Sequence, residues 1–340
     1  MTTVSRDATG STASAKTMRA AVARRFGGPD VVSVATVAMP EPGPDEVRVR
    51  VRSTGVSVAD HRMRSRDLPR GLGALGLVMI GVFRPRHPIL GTDAAGVIDA
   101  IGSEVRGFAV GDAVLAIRGF DMACHAEFVA LKATDVFRKP ANLSFEEAAA
   151  LPFGALTALS FLDRVELGDG TEVLVNGGSS AVGSIVVQLA AAAGARVTAV
   201  TSAGNGELLR SLGAQRVIDY ATTDFAAEAL TYEVIVECVG NAPFERVAPI
   251  LRSGGALLLV IADLKGMLGT RRNSRRSGAL VTYQGAKLTT GEALRRMTEL
   301  AESGALVPVI DSVHPLADVA LAHRRVDSGH KRGNVLLLMG

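Results

Sequence analysis

Tryptophan is absent from the 340 residues, and aromatic residues make up only 4% of them. That leaves little material for the stacked-ring platforms on which single-stranded nucleic acids bind. Cysteine is nearly as scarce, with Cys124 and Cys238 the only two. Two thiols so far apart exclude a disulfide framework and a four-thiolate zinc lobe, and they suit a reducing, cytoplasmic setting. No charge of one sign dominates, since 37 Lys and Arg face 34 Asp and Glu. The one dense basic cluster, Arg271, Arg272, Arg275 and Arg276, has no aromatic or second basic stripe beside it. It reads as a solvated face, so no nucleic-acid partner is expected. Long hydrophobic runs are missing too. The most apolar stretch, Gly71 to Phe83, sits between Arg70 and Arg84 and falls short of the roughly 20 residues of a spanning helix. It reads as a buried or lid segment, and no membrane role is expected. Residues 1–17 are rich in Thr, Ser and Ala without the apolar core of a secretory signal, and read as a mobile leader.

What is present is ordinary for a globular chain: 48% hydrophobic and 21% charged residues. At about 150 residues per domain the length suggests two domains. Three zones follow one another. Up to about residue 140 the chain reads as short strands punctuated by Gly and Pro, and Glu46-Val-Arg-Val-Arg-Val-Arg52 alternates as a half-buried strand should. From 141 to 312 the pattern becomes apolar strand, glycine, apolar helix. Strands are predicted at 172–176, 196–201, 216–219, 234–237, 256–261 and 279–283, with helices over 181–193 and 205–212. Continuous Val/Ile/Leu strands joined by helical crossovers make a doubly wound parallel sheet. Residues 313–340 return to turns and strands and are expected to rejoin the first zone.

The segment Glu172-Val-Leu-Val-Asn-Gly-Gly-Ser-Ser-Ala-Val-Gly183 is a strand, a glycine-rich turn and a helix start. Such a turn points backbone N–H groups and a helix dipole at an anion. Gly178 and Gly183 take the first and third glycine places of the dinucleotide fingerprint, and Ser180 stands at the second. Ala181 and Val182 would then offer the first N–H groups of the helix. The second strand ends Ala199-Val-Thr-Ser-Ala-Gly-Asn205, without the carboxylate that binds a ribose 2′-hydroxyl. NADPH is therefore the expected cofactor, with NAD(H) the alternative. Ser202 and Tyr220 are candidate 2′-phosphate partners, and Arg210 or Arg216 candidate charge donors. Alternatively, Arg210 lies on a solvated helix face and Tyr220 merely ends a strand.

In their order and spacing, Gly27-Gly-Pro-Asp-Val31, Gly55-Val-Ser-Val-Ala-Asp60, Pro88-Ile-Leu-Gly-Thr-Asp-Ala-Ala-Gly-Val97, Lys139-Pro-Ala-Asn-Leu-Ser144 and Leu212-Gly-Ala214 with Val217-Ile-Asp-Tyr220 resemble the medium-chain dehydrogenase/reductase superfamily, in its zinc-free quinone oxidoreductase branch. The resemblance spans nearly the whole chain from Met18. It implies an α/β architecture in which a GroES-like, mostly-β catalytic domain (18–140 with 313–340) clasps a Rossmann domain (141–312), with the active site in the cleft between them. The superfamily's zinc ligands correspond to Ser57, Thr92 and Phe153, a set that cannot hold zinc. Cys124-His125 is the only adjacent thiol–imidazole pair, and two neighbouring ligands do not chelate. No metal is expected.

Without a metal the acceptor must already be electrophilic, as a quinone or an α,β-unsaturated ketone is, because charge then flows to oxygen through conjugation. The resemblance places the segment Ser57–Arg62 at the cleft, with Ser57, Asp60 and His61 as candidate catalytic groups and Ser57 where related reductases commonly carry Asn. His61 could supply a proton. Alternatively, Asp60 braces the loop and His61 points to solvent. Thr157 resembles a nicotinamide-side contact, and Val239, Gly240, Ile261 and Ala262 lie at the carboxyl ends of the fourth and fifth strands, where such sheets bind ligands. Asn334 stands at a cofactor-contacting place often held by Lys. Substrate choice is expected to lie in 68–87, a lid or a surface helix, and in 264–277. The resemblance implies an NADPH-dependent reductase of quinones or related activated carbonyls. An enone or 2-enoyl thioester reductase, or a nucleotide-binding protein with little turnover, are the alternatives. A homodimer paired along 279–283 is also implied.

Overall fold

The computed structural model describes residues 16–286 and 288–340. Most of the anticipated leader lies outside the described residues; the first strand, Thr17–Ala23, pairs with Val32–Ala38.

Six parallel strands form the nucleotide-binding type of sheet: Glu172–Asn176, Arg196–Thr201, Arg216–Asp219, Tyr232–Glu237, Leu251–Leu259 and Leu280–Thr282. Their spatial order is third, second, first, fourth, fifth, sixth. Val173, Leu174, Val175, Ile235, Val236, Leu257 and Leu258 are at most 3% exposed wherever they face, because helices cover both sides. Helix Ala181–Ala192 follows the first strand and Gly206–Ser211 the second. Helix Pro152–Leu162 lies so close on the former that a Cβ on Gly154 would stand 2.3 Å from the Ala181 carbonyl. Three strands depart from the sequence reading, the fourth by starting two residues early at Tyr232. The fifth begins at Leu251, ahead of the anticipated residue 256, because the polar, partly exposed Ser253-Gly254-Gly255 bulge interrupts its apolar run. The sixth is only three residues long.

The second sheet is seven-stranded, and Glu46–Val56 is its spine, pairing with Asp93–Ile101, Phe128–Lys132 and Asn334–Leu338. The strand Asn334–Leu338 lies between Glu46–Val56 and Ile310–Pro315, so the last strand is built into the sheet whose spine comes nearly 300 residues earlier. Two helices edge this unit towards the first sheet. Val58–Ser65 is capped by Ser57, and Val319–Asp327 packs beside it. The stretch after Val58–Ser65 contains helix Gly73–Ile80. No helix among the described residues is long and apolar enough to cross a membrane.

Candidate active site

The first parallel strand ends at Asn176, and the chain turns at Gly177, whose φ of +81° belongs to the left-handed region. A Cβ there would also stand 2.7 Å from Val239 Cγ2. The sharp turn thus falls on Gly177 rather than on Gly178, which instead packs against Ala199 and Leu209. Gly183 allows the helix to seat on the turn, since a Cβ would meet the Gly177 carbonyl at 2.2 Å. Ser180 occupies an extended conformation open to any residue and accepts the Gly183 N–H at 3.0 Å as an N-cap. The N–H groups of Ala181 and Val182, in the first turn, have no intrahelical acceptor. Both residues line a cleft of about 870 Å³ between the two sheets. The positive end of a 12-residue helix therefore faces open space, an arrangement that fits a dinucleotide's diphosphate.

Around this turn hydroxyl and amide groups interlock. Thr201 Oγ1 donates to Ser179 Oγ, and the Asn205 amide donates to Ser202 Oγ and Ser179 Oγ. Ser202, Asn205 and the half-exposed Tyr220 line the cleft. The two arginines expected to supply charge do not. Arg210 is exposed outside it, and Arg216 is paired with Glu228, which raises its pKa. The basic residue that does line the cleft here is Lys331, three residues before Asn334. Burial lowers its amine from the ordinary lysine range to about 8, against the opposing pull of Asp311. The Gly333 N–H donates to the Ser179 carbonyl at 2.7 Å, fastening this segment onto the phosphate-binding turn. Asn334 is not a cleft residue: its amide is spent on the Val309 carbonyl at 3.1 Å.

At the ends of the fourth and fifth strands, Val239, Ile261 and Ala262 line the cleft. Gly240 does not. Its N–H, with that of Val239, is held by the buried Glu237 carboxylate, which also accepts from Asn176 at 2.7 Å.

Across the cleft, Ser57 and Asp60 are both buried and neither reaches the lining. Asp60 Oδ2 accepts from the Ser57 N–H and hydroxyl, each at 2.7 Å, and Oδ1 accepts the Gly91 N–H at 2.7 Å. This carboxylate braces the helix start, which corrects its placement, and that of Ser57, among cleft-facing catalytic groups. His61 does line the cleft and does not point to solvent. Its Nδ1 lies 2.7 Å from Asp327 Oδ1 and its Nε2 3.3 Å from Asp67 Oδ2. Asp327 is in turn fixed by the fully buried Arg64, at 2.6 and 2.7 Å. Arg62, the last residue of the segment 57–62 that the resemblance places at the cleft, also lines it. The insertion contributes Leu68, Leu72, Gly76 and Ile80, with one face of its helix turned inward, and Thr157, Phe153 and Met267 complete an apolar end. Thr157 Oγ1 donates to the Phe153 carbonyl at 3.0 Å, which leaves its oxygen as an acceptor.

Matches to known proteins follow this anatomy. A family described as "Alcohol dehydrogenase GroES-like domain" matches residues 43–141, and one described as "Zinc-binding dehydrogenase" matches 212–337. The chain is 30% identical to 2-methylene-furan-3-one reductase of Solanum lycopersicum over 331 residues, covering 92% of this chain and 76% of that protein. It belongs to the medium-chain dehydrogenase/reductase superfamily. The mitochondrial NAD(P)H oxidoreductase RTN4IP1 of Bos taurus is 31% identical over 86% of this chain and 82% of its own. The solved quinone oxidoreductase from Coxiella burnetii superposes with a TM-score of 0.83 at 26% identity, over 96% of this chain and all of that one. This medium-chain dehydrogenase/reductase is therefore an oxidoreductase of the quinone oxidoreductase-like branch, built from a GroES-like domain and a Rossmann sheet, with a nicotinamide nucleotide as its cofactor.

Zinc does not fit the residues present. Thr92 Oγ1 donates to Asp93 at 2.8 Å, Ser57 is bound to Asp60, and Phe153 is a hydrocarbon wall. Among the described residues no three His, Cys, Asp or Glu side chains converge as a metal site would require. Cys124 and His125 are both buried; burial pushes the Cys124 thiol well up, and His125 Nε2 is bound to the Gly55 carbonyl at 2.9 Å.

Proposed function

We propose that this oxidoreductase is an NADPH-dependent, zinc-independent reductase of quinones or conjugated enones. The observation that carries the reading is the single cleft itself. One end is a helix start suited to an anion with Lys331 beside it, the other is an apolar pocket, and among the described residues no metal-ligand set lies between them. The relatives' names point the same way, to a furanone reductase, an NAD(P)H oxidoreductase and a quinone oxidoreductase.

The phosphate end would hold the dinucleotide through the Ala181 and Val182 N–H groups and Lys331. Ser202, Asn205 and Tyr220 would take the adenosine ribose side, where the absence of a carboxylate favours a 2′-phosphate. The bound nucleotide supplies a hydride, two electrons with one hydrogen, and reduction of an enone or quinone then needs one proton for each hydride transferred. His61 lines the acceptor end and is held from both sides by carboxylates, so we assign it to proton delivery. The apolar walls exclude water from the acceptor, and orienting it is worth up to about 7–11 kcal/mol of barrier.

The test is consumption of NADPH or NADH by the purified protein with a panel of quinones, enones and enoyl thioesters, alongside saturated alcohols with the oxidised cofactors. The reading expects NADPH to be oxidised by a quinone or enone, faster than NADH. Tight NADPH binding with no acceptor turned over, turnover confined to enoyl thioesters, or alcohol oxidation that depends on added zinc overturns it.

A further inference from the structure

Seven described arginines are buried or partly buried rather than fully exposed: Arg48, Arg62, Arg64, Arg118, Arg246, Arg252 and Arg325. Six of them have side-chain partners. Arg48 holds Asp99, Arg64 holds Asp327, Arg118 the Met122 and Ala130 carbonyls, Arg246 Asp224, Arg252 Glu233, and Arg325 Asp311. Arg62 alone has neither a hydrogen bond nor an ion pair from its guanidinium among the described residues, and it is the one that lines the cleft. The one carboxylate that raises its pKa, Asp67, is exposed and is turned towards His61.

A guanidinium drawn partly out of water without a partner carries a desolvation cost, which is recovered when an anion enters. Burial accordingly lowers the Arg62 pKa, and only Asp67 opposes the shift. Arg62 shares its face of helix Val58–Ser65 with Val58, Ala59 and Met63, and the wall opposite is the apolar insertion. The phosphates of the nucleotide are served elsewhere, by the helix start at Ala181 and by Lys331. An acceptor that satisfies this pocket therefore needs an apolar body and one fixed negative charge of a shape that two parallel N–H groups can hold.

We propose that Arg62 recognises a carboxylate carried by the acceptor, so that the physiological substrate class is an acidic enone or quinone. This rests on the reductase reading above and narrows it. The experiment compares trans-β-benzoylacrylate with its methyl ester, two enones with one carbon skeleton that differ in charge. Wild type, R62Q and R62K are assayed with NADPH. Calorimetry measures binding of the saturated product, β-benzoylpropionate, which does not turn over.

Wild type is expected to prefer the acid. In R62Q the kcat/KM for the acid should fall roughly 30-fold or more, through KM, which is the scale of breaking a desolvated charge pair. The ester should lose far less, R62K should recover part of the difference, and the keto acid should bind R62Q correspondingly more weakly. Equal use of acid and ester by wild type overturns the proposal. So does an equal loss on both in R62Q, which would put Arg62 on the reacting oxygen, or a loss of NADPH affinity, which would put it on the cofactor. If neither enone is reduced while NADPH binds, the reductase reading fails separately. The calorimetric arm then decides: Arg62-dependent binding of the keto acid upholds the site, and its absence removes it.

Discussion

Replacing Asp60 by alanine separates a brace from a catalyst. The carboxylate is fully buried and accepts three hydrogen bonds, from the Ser57 N–H, the Ser57 hydroxyl and the Gly91 N–H, each at 2.7 Å. Two of those donors are backbone groups that cannot turn elsewhere. At about 1–3 kcal/mol for each buried donor left unpaired, less what it costs to desolvate the carboxylate, D60A should destabilise the protein by about 3–5 kcal/mol. For a chain of this size that corresponds to a fall in Tm of roughly 4–7 °C. D60N keeps the volume but must present its NH2 either to the Ser57 or to the Gly91 N–H, so about half of the loss should persist. Differential scanning calorimetry reads both variants, and NADPH oxidation measured well below the transition reads the site. If both variants melt with wild type and turn over slowly, Asp60 acts on the substrate and the bracing argument is wrong.

Three further outcomes are expected. The Lys331 ammonium is lost as pH rises through about 8, so NADPH affinity should fall about tenfold between pH 7 and 9, the worth of one charge-assisted hydrogen bond. K331M should bind weakly throughout and show no such fall; fluorescence titration measures it, and a slope that survives in K331M refutes the assignment. Fully buried His323 has no partner for either ring nitrogen among the described residues, and burial holds its pKa well below 6.5. Below about pH 6.5 the unfolded chain takes a proton that the folded chain refuses, so acid should cost up to about 1.4 kcal/mol per pH unit at this site. H323L should flatten that limb and hold or raise stability at neutral pH, as urea midpoints at both pH values will show. Finally, we propose a homodimer paired along the edge strand Leu280–Thr282, whose outer side has no partner among the described strands. Light scattering should give twice the chain mass, and a monomer at tens of micromolar overturns it.

The parallel sheet was legible because its strands are buried on both faces, which makes each a continuous apolar word. The fifth was shortened only where Ser253-Gly254-Gly255 breaks that word. The glycine turn was legible to within a residue, yet which of Gly177 and Gly178 bends depends on Val239, which leaves no trace locally. On the acceptor side the residues were found but their directions were not. His61 is turned inward by Asp327, 266 positions away, and Asp60 is turned from the cleft by Gly91. Lys331 could have been suspected as a basic residue just before Gly333, but local pattern favoured the aligned Asn334. Arg62 carries no motif. Its meaning lies in what it fails to touch, and only a full census of partners exposes that.

The strand Asn334–Leu338, wedged between Glu46–Val56 and Ile310–Pro315, has a further consequence for how the molecule is made. On the ribosome the mostly-β unit begins first and must wait, with the flank of its spine strand open, while the whole parallel-sheet unit emerges. The strand that closes it arrives with Gly333, which in the same movement clasps the nucleotide turn at Ser179. Biosynthesis thus completes the mostly-β sheet and the nucleotide turn together, and until then the waiting edge is a template on which the nascent chain is open to mispairing.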